Sequence, residues 1–278
     1  MDEIGIEEIH RESLEILKKI ISICEYLKIN YYLAYGSLIG AVRHSGFIPW
    51  DDDLDVVMLR DDYEIFLNYC QQNQEKIYPY KLLCREYTRN YPYNIARLND
   101  FRYKAVYDNV QKYDSGLFVD IYPLDDVGNL TQKEIVKLDK KRSHFMKMIL
   151  WSIDDHYEKS KHGGTIRSFI KYFVRLYAKL KGSKYFLDKM ESFKEKYSID
   201  GSRYVAEMTW DPKTILCEKK WFDGYTNIKF EGLEVKAPRD IDAFLKAYYG
   251  DYMKLPPVEE RKPSHCYRLY KREDRSGE

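Results

Sequence analysis

Apolar residues recur at helical spacing from Ile6 to Leu27, so this segment is expected to form an amphipathic helix with an acidic start, MDEIGIEEIHRESLEILKKI. The pattern then shortens: Tyr31 to Tyr35 reads as a short strand, Gly36-Ser37 as a turn and Leu38 to Arg43 as one helical stretch. Leu54 to Leu59 is an apolar run of strand length, and Asp61 to Gln74 returns to the helical period. Lys81 to Ile121 carries mainly strand and loop patterns, among them Asn94 to Leu98 and Leu117 to Tyr122. Thr131 to Trp151, Thr165 to Leu180 and Lys184 to Tyr197 are predicted helices, interrupted by Gly163-Gly164 and Gly182. Trp221 to Val235 reads as a hairpin or short strands, and Pro238 to Tyr249 as a final helix stopped by Gly250. The fold class is therefore α+β, a mixed α/β sheet flanked by helices over residues 1–128, followed over 129–278 by a mainly helical companion part that completes the site. No internal repeat or low-complexity segment interrupts it.

The chemistry concentrates in Gly36 to Met58, GSLIGAVRHSGFIPWDDDLDVVM. A strand, a glycine turn and a helix start together aim backbone N–H groups and a hydroxyl at one point, which attracts anions. Gly36 permits close backbone approach, and Ser37 is expected to cap the helix and donate to a phosphate. On the strand that follows, a rise of about 3.3 Å per residue puts the Cα atoms of Asp53 and Asp55 roughly 6 to 7 Å apart on one face. Leu54 and Val56 then face a core. At about 4 Å and an effective dielectric near 20, two such carboxylates repel by up to a few kcal/mol. A divalent cation removes that repulsion. Hard oxygen ligands with room for water and phosphate suit Mg²⁺, with Mn²⁺ as the substitute. An EF-hand would place Gly sixth and Glu twelfth after Asp51, where this chain has Val56 and Asp62, so calcium is not expected. Asp51 and Asp52 read as a solvated acidic turn. Farther on, Leu117 to Tyr122 is an apolar strand with one acid, Asp120, and a buried carboxylate needs a partner. The competing reading is an Asp that ends its strand and caps a turn at Pro123.

These residues resemble a known family, the LicD-type phosphotransferases of the nucleotidyltransferase superfamily. The superfamily pairs Gly-Ser or Gly-Gly with a later Asp-hydrophobic-Asp, here Gly36, Ser37, Asp53, Leu54 and Asp55. The narrower family is marked by the arginine, glycine and tryptophan of GAVRHSGFIPWDDDLD. Further echoes are FVDIYPLDDV at Phe118 to Val127, KFEG at Lys229 to Gly232 and YGDYMKLPP at Tyr249 to Pro257, so the resemblance spans most of the chain. Ser37 and Ser45 stand where Thr and Gly are common, and Cys266 follows His265 where a second His is frequent. The resemblance implies a nucleotidyltransferase-like catalytic core over 1–128. It implies Asp120 as third catalytic carboxylate beside Asp53 and Asp55, all three as Mg²⁺ ligands, and a cytidine diphosphate alcohol such as CDP-choline as donor. The implied acceptor is a sugar hydroxyl of a cell-surface glycan such as lipopolysaccharide, teichoic acid or capsule, with CMP released. Two other functions stay open: a nucleotidyltransferase that attacks a nucleoside triphosphate and releases pyrophosphate, and a non-catalytic glycan- or nucleotide-binding protein. Three retained acids argue against the last, since binding alone does not need metal sites.

Arg43 and His44 lie between the cradle and the acids and are candidates to steady a diphosphate, Arg43 first because its fork matches phosphate. Arg97 is a second candidate; for both arginines an ordinary salt bridge is the alternative, and for His44 and His265 a surface position. The chain holds 27 Tyr and 4 Trp, a number that selects no quaternary-ammonium cage, and only Trp50, next to the acids, is a candidate for the donor's alcohol. A formal charge of +1 gives no reason to invoke nucleic acid. The five cysteines, without a CxxC pair, are expected as reduced cytosolic thiols rather than a zinc cluster or disulfide frame. No signal peptide or bilayer-spanning run is read, so the expectation is a cytoplasmic protein, soluble or peripheral at the inner membrane surface. One segment bears on that choice. Ile166, Phe169, Ile170, Phe173, Val174, Tyr177 and Leu180 form an apolar stripe, with Arg167, Lys171, Arg175 and Lys179 opposite. Either the stripe packs on the core, or the helix lies on anionic lipid and brings the enzyme to a lipid-linked glycan.

Overall fold

In α1 (Ile6–Leu27) the apolar face Ile16, Leu17, Ile20, Ile23 and Cys24 is fully withdrawn from water, as its three- and four-residue spacing requires. The helix ends at Lys28, in the left-handed conformation at φ 57°. The computed structural model describes residues 2–89, 91–107, 113–153, 165–197, 201–209, 213–263 and 267–273, without the side chains of 165–167 and 193–197. Gly163-Gly164, His265 and Cys266, and the side chains of Ile166 and Arg167, lie outside the described residues.

The elements that follow are β1 (Tyr32–Leu33), α2 (Tyr35–His44), β2 (Asp55–Leu59), α3 (Arg60–Gln72), α4 (Gln74–Ile77), β3 (Tyr80–Leu83), β4 (Ala96–Asp100), β5 (Tyr103–Tyr107) and β6 (Leu117–Asp126). After them come α5 (Gln132–Ile153), α6 (Thr165–Tyr197), β7 (Tyr204–Glu207), β8 (Cys217–Glu218), β9 (Thr226–Phe230), β10 (Leu233–Ala237), α7 (Ile241–Tyr249) and β11 (Tyr267–Lys271). The fold is α+β. Its main sheet runs β1-β2-β6-β4-β3, with β7 joining the far end of β6 and β8 joining β7. β2 and β6 are parallel, and the other pairings are antiparallel. α1 and α3 pack on this sheet.

The 128/129 junction falls between β6 and α5, and the chain beyond it returns to the same sheet and core. β7 pairs with β6, β11 pairs with β5, and Phe222, Phe230, Phe244 and Leu269 share one apolar cluster with Leu17, Val56 and Ile121. The predicted hairpin is β9–β10, closed by a two-residue loop, Glu231-Gly232, with both residues at positive φ. That loop grips the segment after α2: Glu231 N–H donates to the Ser45 carbonyl at 2.9 Å, and Phe47 N–H donates to Glu231 Oε1 at 3.0 Å. Gly182 breaks α6 at φ 75°, where the glycine punctuation predicted an interruption.

Two local expectations are corrected. α2 starts at Tyr35, so Gly36 and Ser37 lie inside its first turn; the N-cap is Ala34 and Ser37 caps nothing. β6 runs straight through Pro123 to Asp126, so Asp120 sits mid-strand and ends no turn.

Candidate active site

The register of the two parallel strands decides the site. Asp55, the first residue of β2, stands opposite Asp120 on β6, and Asp120 N–H donates to the Leu54 carbonyl at 3.0 Å. The backbone of Asp55 is fixed on both sides: its carbonyl accepts from Ala34 N–H at 3.1 Å, and its N–H donates to Ser37 Oγ at 2.9 Å. Ser37, 3% exposed, is thus a tie between α2 and the acidic strand. Leu54 and Val56 are fully buried, but so are Val57 and Met58, so β2 is covered on both faces and its burial does not alternate.

Asp55 is buried, and its Oδ1 has no hydrogen-bond partner. Burial first, then the charges of Asp53, Asp120 and Asp51, push its carboxyl well above the ordinary carboxylate range, against the opposing pull of Arg97. A buried, unpartnered carboxylate oxygen facing other acids is costly, and a cation is the group that relieves it. Among the described residues no three His, Cys, Asp or Glu side chains form a ready cation shell. The acids by themselves therefore do not enclose an ion, and a bound cation would need water and phosphate among its ligands.

Asp120 is held by Arg97, its neighbour across the β4–β6 ladder. Arg97 Nε donates to Asp120 Oδ1 at 2.6 Å, and Nη2 reaches Oδ2 at 3.5 Å. The guanidinium lies 3.9 Å from the ring centroid of Phe118 and 4.7 Å from that of Tyr93, and Nη1 points to the hydroxyls of Tyr107 and Tyr113. Of the two readings open for Arg97, the structure shows the ion pair.

The preceding loop is packed rather than solvated, which corrects the expectation for Asp52: it is 6% exposed, and its carbonyl accepts from the Tyr267 hydroxyl at 3.3 Å. That hydroxyl comes from β11, far along the chain. Asp51 lies against Gly36, where an added Cβ would stand 2.6 Å from Asp51 Oδ2, and its carbonyl pairs with His10 Nε2 at 2.6 Å. Gly36 is thus a close-approach glycine, toward this loop.

Similarity to known proteins supplies the context. The family described as LicD/FKTN/FKRP, nucleotidyltransferase domain, matches residues 28–155. A lipopolysaccharide cholinephosphotransferase LicD of Haemophilus influenzae is 30% identical over 275 residues, 97% of this chain and 99% of its own length. The chain belongs to the LicD family. The ribitol 5-phosphate transferase FKRP of Homo sapiens is 38% identical over 48 residues, 17% of this chain and 10% of its own. An uncharacterised protein of Rickettsia prowazekii is 30% identical over 155 residues, 42% of this chain and 55% of its own.

In this LicD-family chain the remaining site candidates form a second group. Arg43 Nη1 donates to the Tyr252 carbonyl at 3.1 Å, while its buried Nε has no partner. Burial and the neighbouring Arg261 lower its proton affinity. His44 is largely exposed and edge-on to Trp50 at 6.4 Å, its pKa lowered by the partial loss of solvent around its ring and by Arg43. The Trp50 ring carries the guanidinium of Arg261 at 5.5 Å. Sequence reasoning missed Arg261, and also Tyr122 and Tyr35. Burial first, then the charges of Asp55, Asp120 and Asp53, push the Tyr122 phenol well above its ordinary range, and its ring meets Tyr35 edge-on at 5.2 Å. Tyr35 itself sits at φ 49°, a strained position for a non-glycine residue. Tyr122 was within reach, being two residues past Asp120 on a strand; nothing local announces Arg261.

Proposed function

We propose that this LicD-like phosphotransferase is metal-dependent and moves an alcohol phosphate such as phosphocholine from a CDP-activated donor to a sugar hydroxyl of a cell-surface glycan, releasing CMP. The observation that carries the reading is the orphaned Asp55 Oδ1, buried among acids on parallel strands. The chain matches a lipopolysaccharide cholinephosphotransferase over almost its whole length, which supports the substrate class. Asp53, Asp55 and Asp120 would hold Mg²⁺, or Mn²⁺ in its place, together with water and phosphate ligands, and a bound ion would supply charge neutralisation for the donor diphosphate. Asp120, oriented by Arg97, accepts the proton of the attacking sugar hydroxyl directly or through a water. Arg43, with Arg261 beside it, offers cationic donors to a phosphate oxygen of the donor or of the departing CMP. The glycan is lipid-linked and met at the cytoplasmic face of the membrane, where nucleotide-activated donors are available.

The test is CMP release from a panel of CDP-choline, CDP-glycerol and CDP-ribitol, with and without glycan, in Mg²⁺, Mn²⁺ or EDTA. Acceptor-dependent CMP release in Mg²⁺, lost in EDTA and in Asp53→Asn, is expected. Turnover in EDTA, full activity of Asp53→Asn, or pyrophosphate from CTP as the product discards the reading.

A further inference from the structure

Among the described side chains, most of the amphipathic stripe of α6 faces away from the core. Phe169 is 65% exposed, Ile170 57%, Phe173 50%, Leu176 42% and Leu180 78%, with Tyr172 and Tyr177 exposed beside them. The side that holds the helix is narrow: Ala178 is fully buried and Val174 partly, against Met148 and Ile149 of α5. At 100° per residue, Phe169, Phe173, Leu176 and Leu180 fall within an arc of roughly 60° opposite Ala178. Beyond the bend at Gly182 the helix behaves ordinarily, burying Phe186, Leu187 and Met190. An apolar arc left exposed among the described residues, on a helix anchored from behind, is a docking face.

Charge identifies what it meets. From Thr165 to Leu187 the sequence has no acidic residue and carries Arg167, Lys171, Arg175, Lys179, Lys181 and Lys184. The whole chain has a formal charge of +1, so this stretch concentrates positive charge on a molecule otherwise negative. Lys179 flanks the apolar arc on one side and Lys181 on the other, by the same helical geometry, while Lys171 lies on the opposite side of the helix. A second copy placed on this face by two-fold symmetry would bring like charges together, which opposes association. An anionic bilayer matches both features, accepting the aromatic and aliphatic side chains at its interface and pairing its headgroups with the lysines. We infer that the first half of α6 is a membrane-docking surface, which seats the protein on anionic lipid with Phe169, Phe173, Leu176 and Leu180 in the headgroup–acyl boundary. No helix among the described residues is long and apolar enough to cross a membrane, so the contact is interfacial. The inference is independent of the donor chemistry.

Vesicle flotation of the full chain tests it, with phosphatidylcholine alone or with about one part in three phosphatidylglycerol, at low salt and at about 0.15 M salt. Flotation with phosphatidylglycerol vesicles, weakened by salt and poor with phosphatidylcholine alone, is expected. Substituting Phe169→Ser, Phe173→Ser and Leu180→Ser together should lower partitioning at least about tenfold. CMP release to a water-soluble acceptor and the thermal midpoint should both persist. Should the triple variant misfold, Lys179→Gln with Lys181→Gln carries the test, because it must weaken flotation and flatten its salt dependence. Absence of flotation at low salt, or equal flotation of both variants and the parent, overturns the inference. So does light scattering that shows a dimer dissociated by the triple variant without any vesicle binding.

Discussion

Arg97 commits its guanidinium to Asp120 while stacked between Phe118 and Tyr93, and that makes it the support of an acid rather than a reader of phosphate. Arg97→Ala leaves a buried carboxylate without its counter-ion, a change that costs about 3–5 kcal/mol. Urea unfolding should show that loss, and Arg97→Lys should recover only part of it because a lysine neither forks nor stacks. An Arg97→Ala midpoint equal to the parent's would rule out this role. The pairing was illegible beforehand, because it depends on which residue of β4 stands opposite Asp120, a matter of register between distant segments. The strand that carries Asp55 was legible from its local apolar run, whereas Asp53, expected on the same strand, lies before β2 begins at Asp55. Asp52 was misread as solvated since the residue that donates to its carbonyl, Tyr267, belongs to β11.

At the scale of elements, a hydrogen bond to the Ser37 side chain ties α2 to β2. Ser37→Ala strands the buried N–H of Asp55, which costs about 1–3 kcal/mol, and loosens the residue on which the acids depend. Stability by denaturant and CMP release should therefore fall together, and a variant with unchanged values for both would show the tie to be incidental. Strong periodicity made α1 readable to its ends and placed the Gly182 break. The start of α2 was displaced because tertiary packing draws Tyr35 and Gly36 into the helix despite the strain at Tyr35. β11 carried no usable signal: its ladder partner, β5, lies on a remote part of the chain. Periodicity also told that α6 is two-faced, but not which face the protein keeps, since a stripe buried on a core and one held out to lipid have the same sequence pattern.

For the molecule as a whole, one core gathers residues from both ends of the chain, and the thiols follow it. Cys24, Cys70, Cys84 and Cys217 are free and buried. Burial pushes the thiols of Cys70, Cys84 and Cys217 up to about 12, and that of Cys24 higher. A raised thiol stays protonated through neutral and mildly alkaline pH, and the thiolate is the reacting form. A thiol reagent at about pH 8 should thus leave these four unmodified in the native protein and label them all in denaturant. Native labelling of any of the four, mapped by mass spectrometry, would contradict the packing.

The parallel pairing of β2 with β6 carries one more consequence, for how the length of this chain can drift. Because Asp55 and Asp120 share a face only while both strands keep phase, a single residue inserted into Asp55–Leu59 or Leu117–Leu124 would rotate everything beyond it to the opposite side. A two-residue insertion would restore sidedness but shift an acid along its strand by roughly 6 to 7 Å. Inside these strands, substitution is open to mutation while length is frozen, so natural variation in size has to collect elsewhere in the chain.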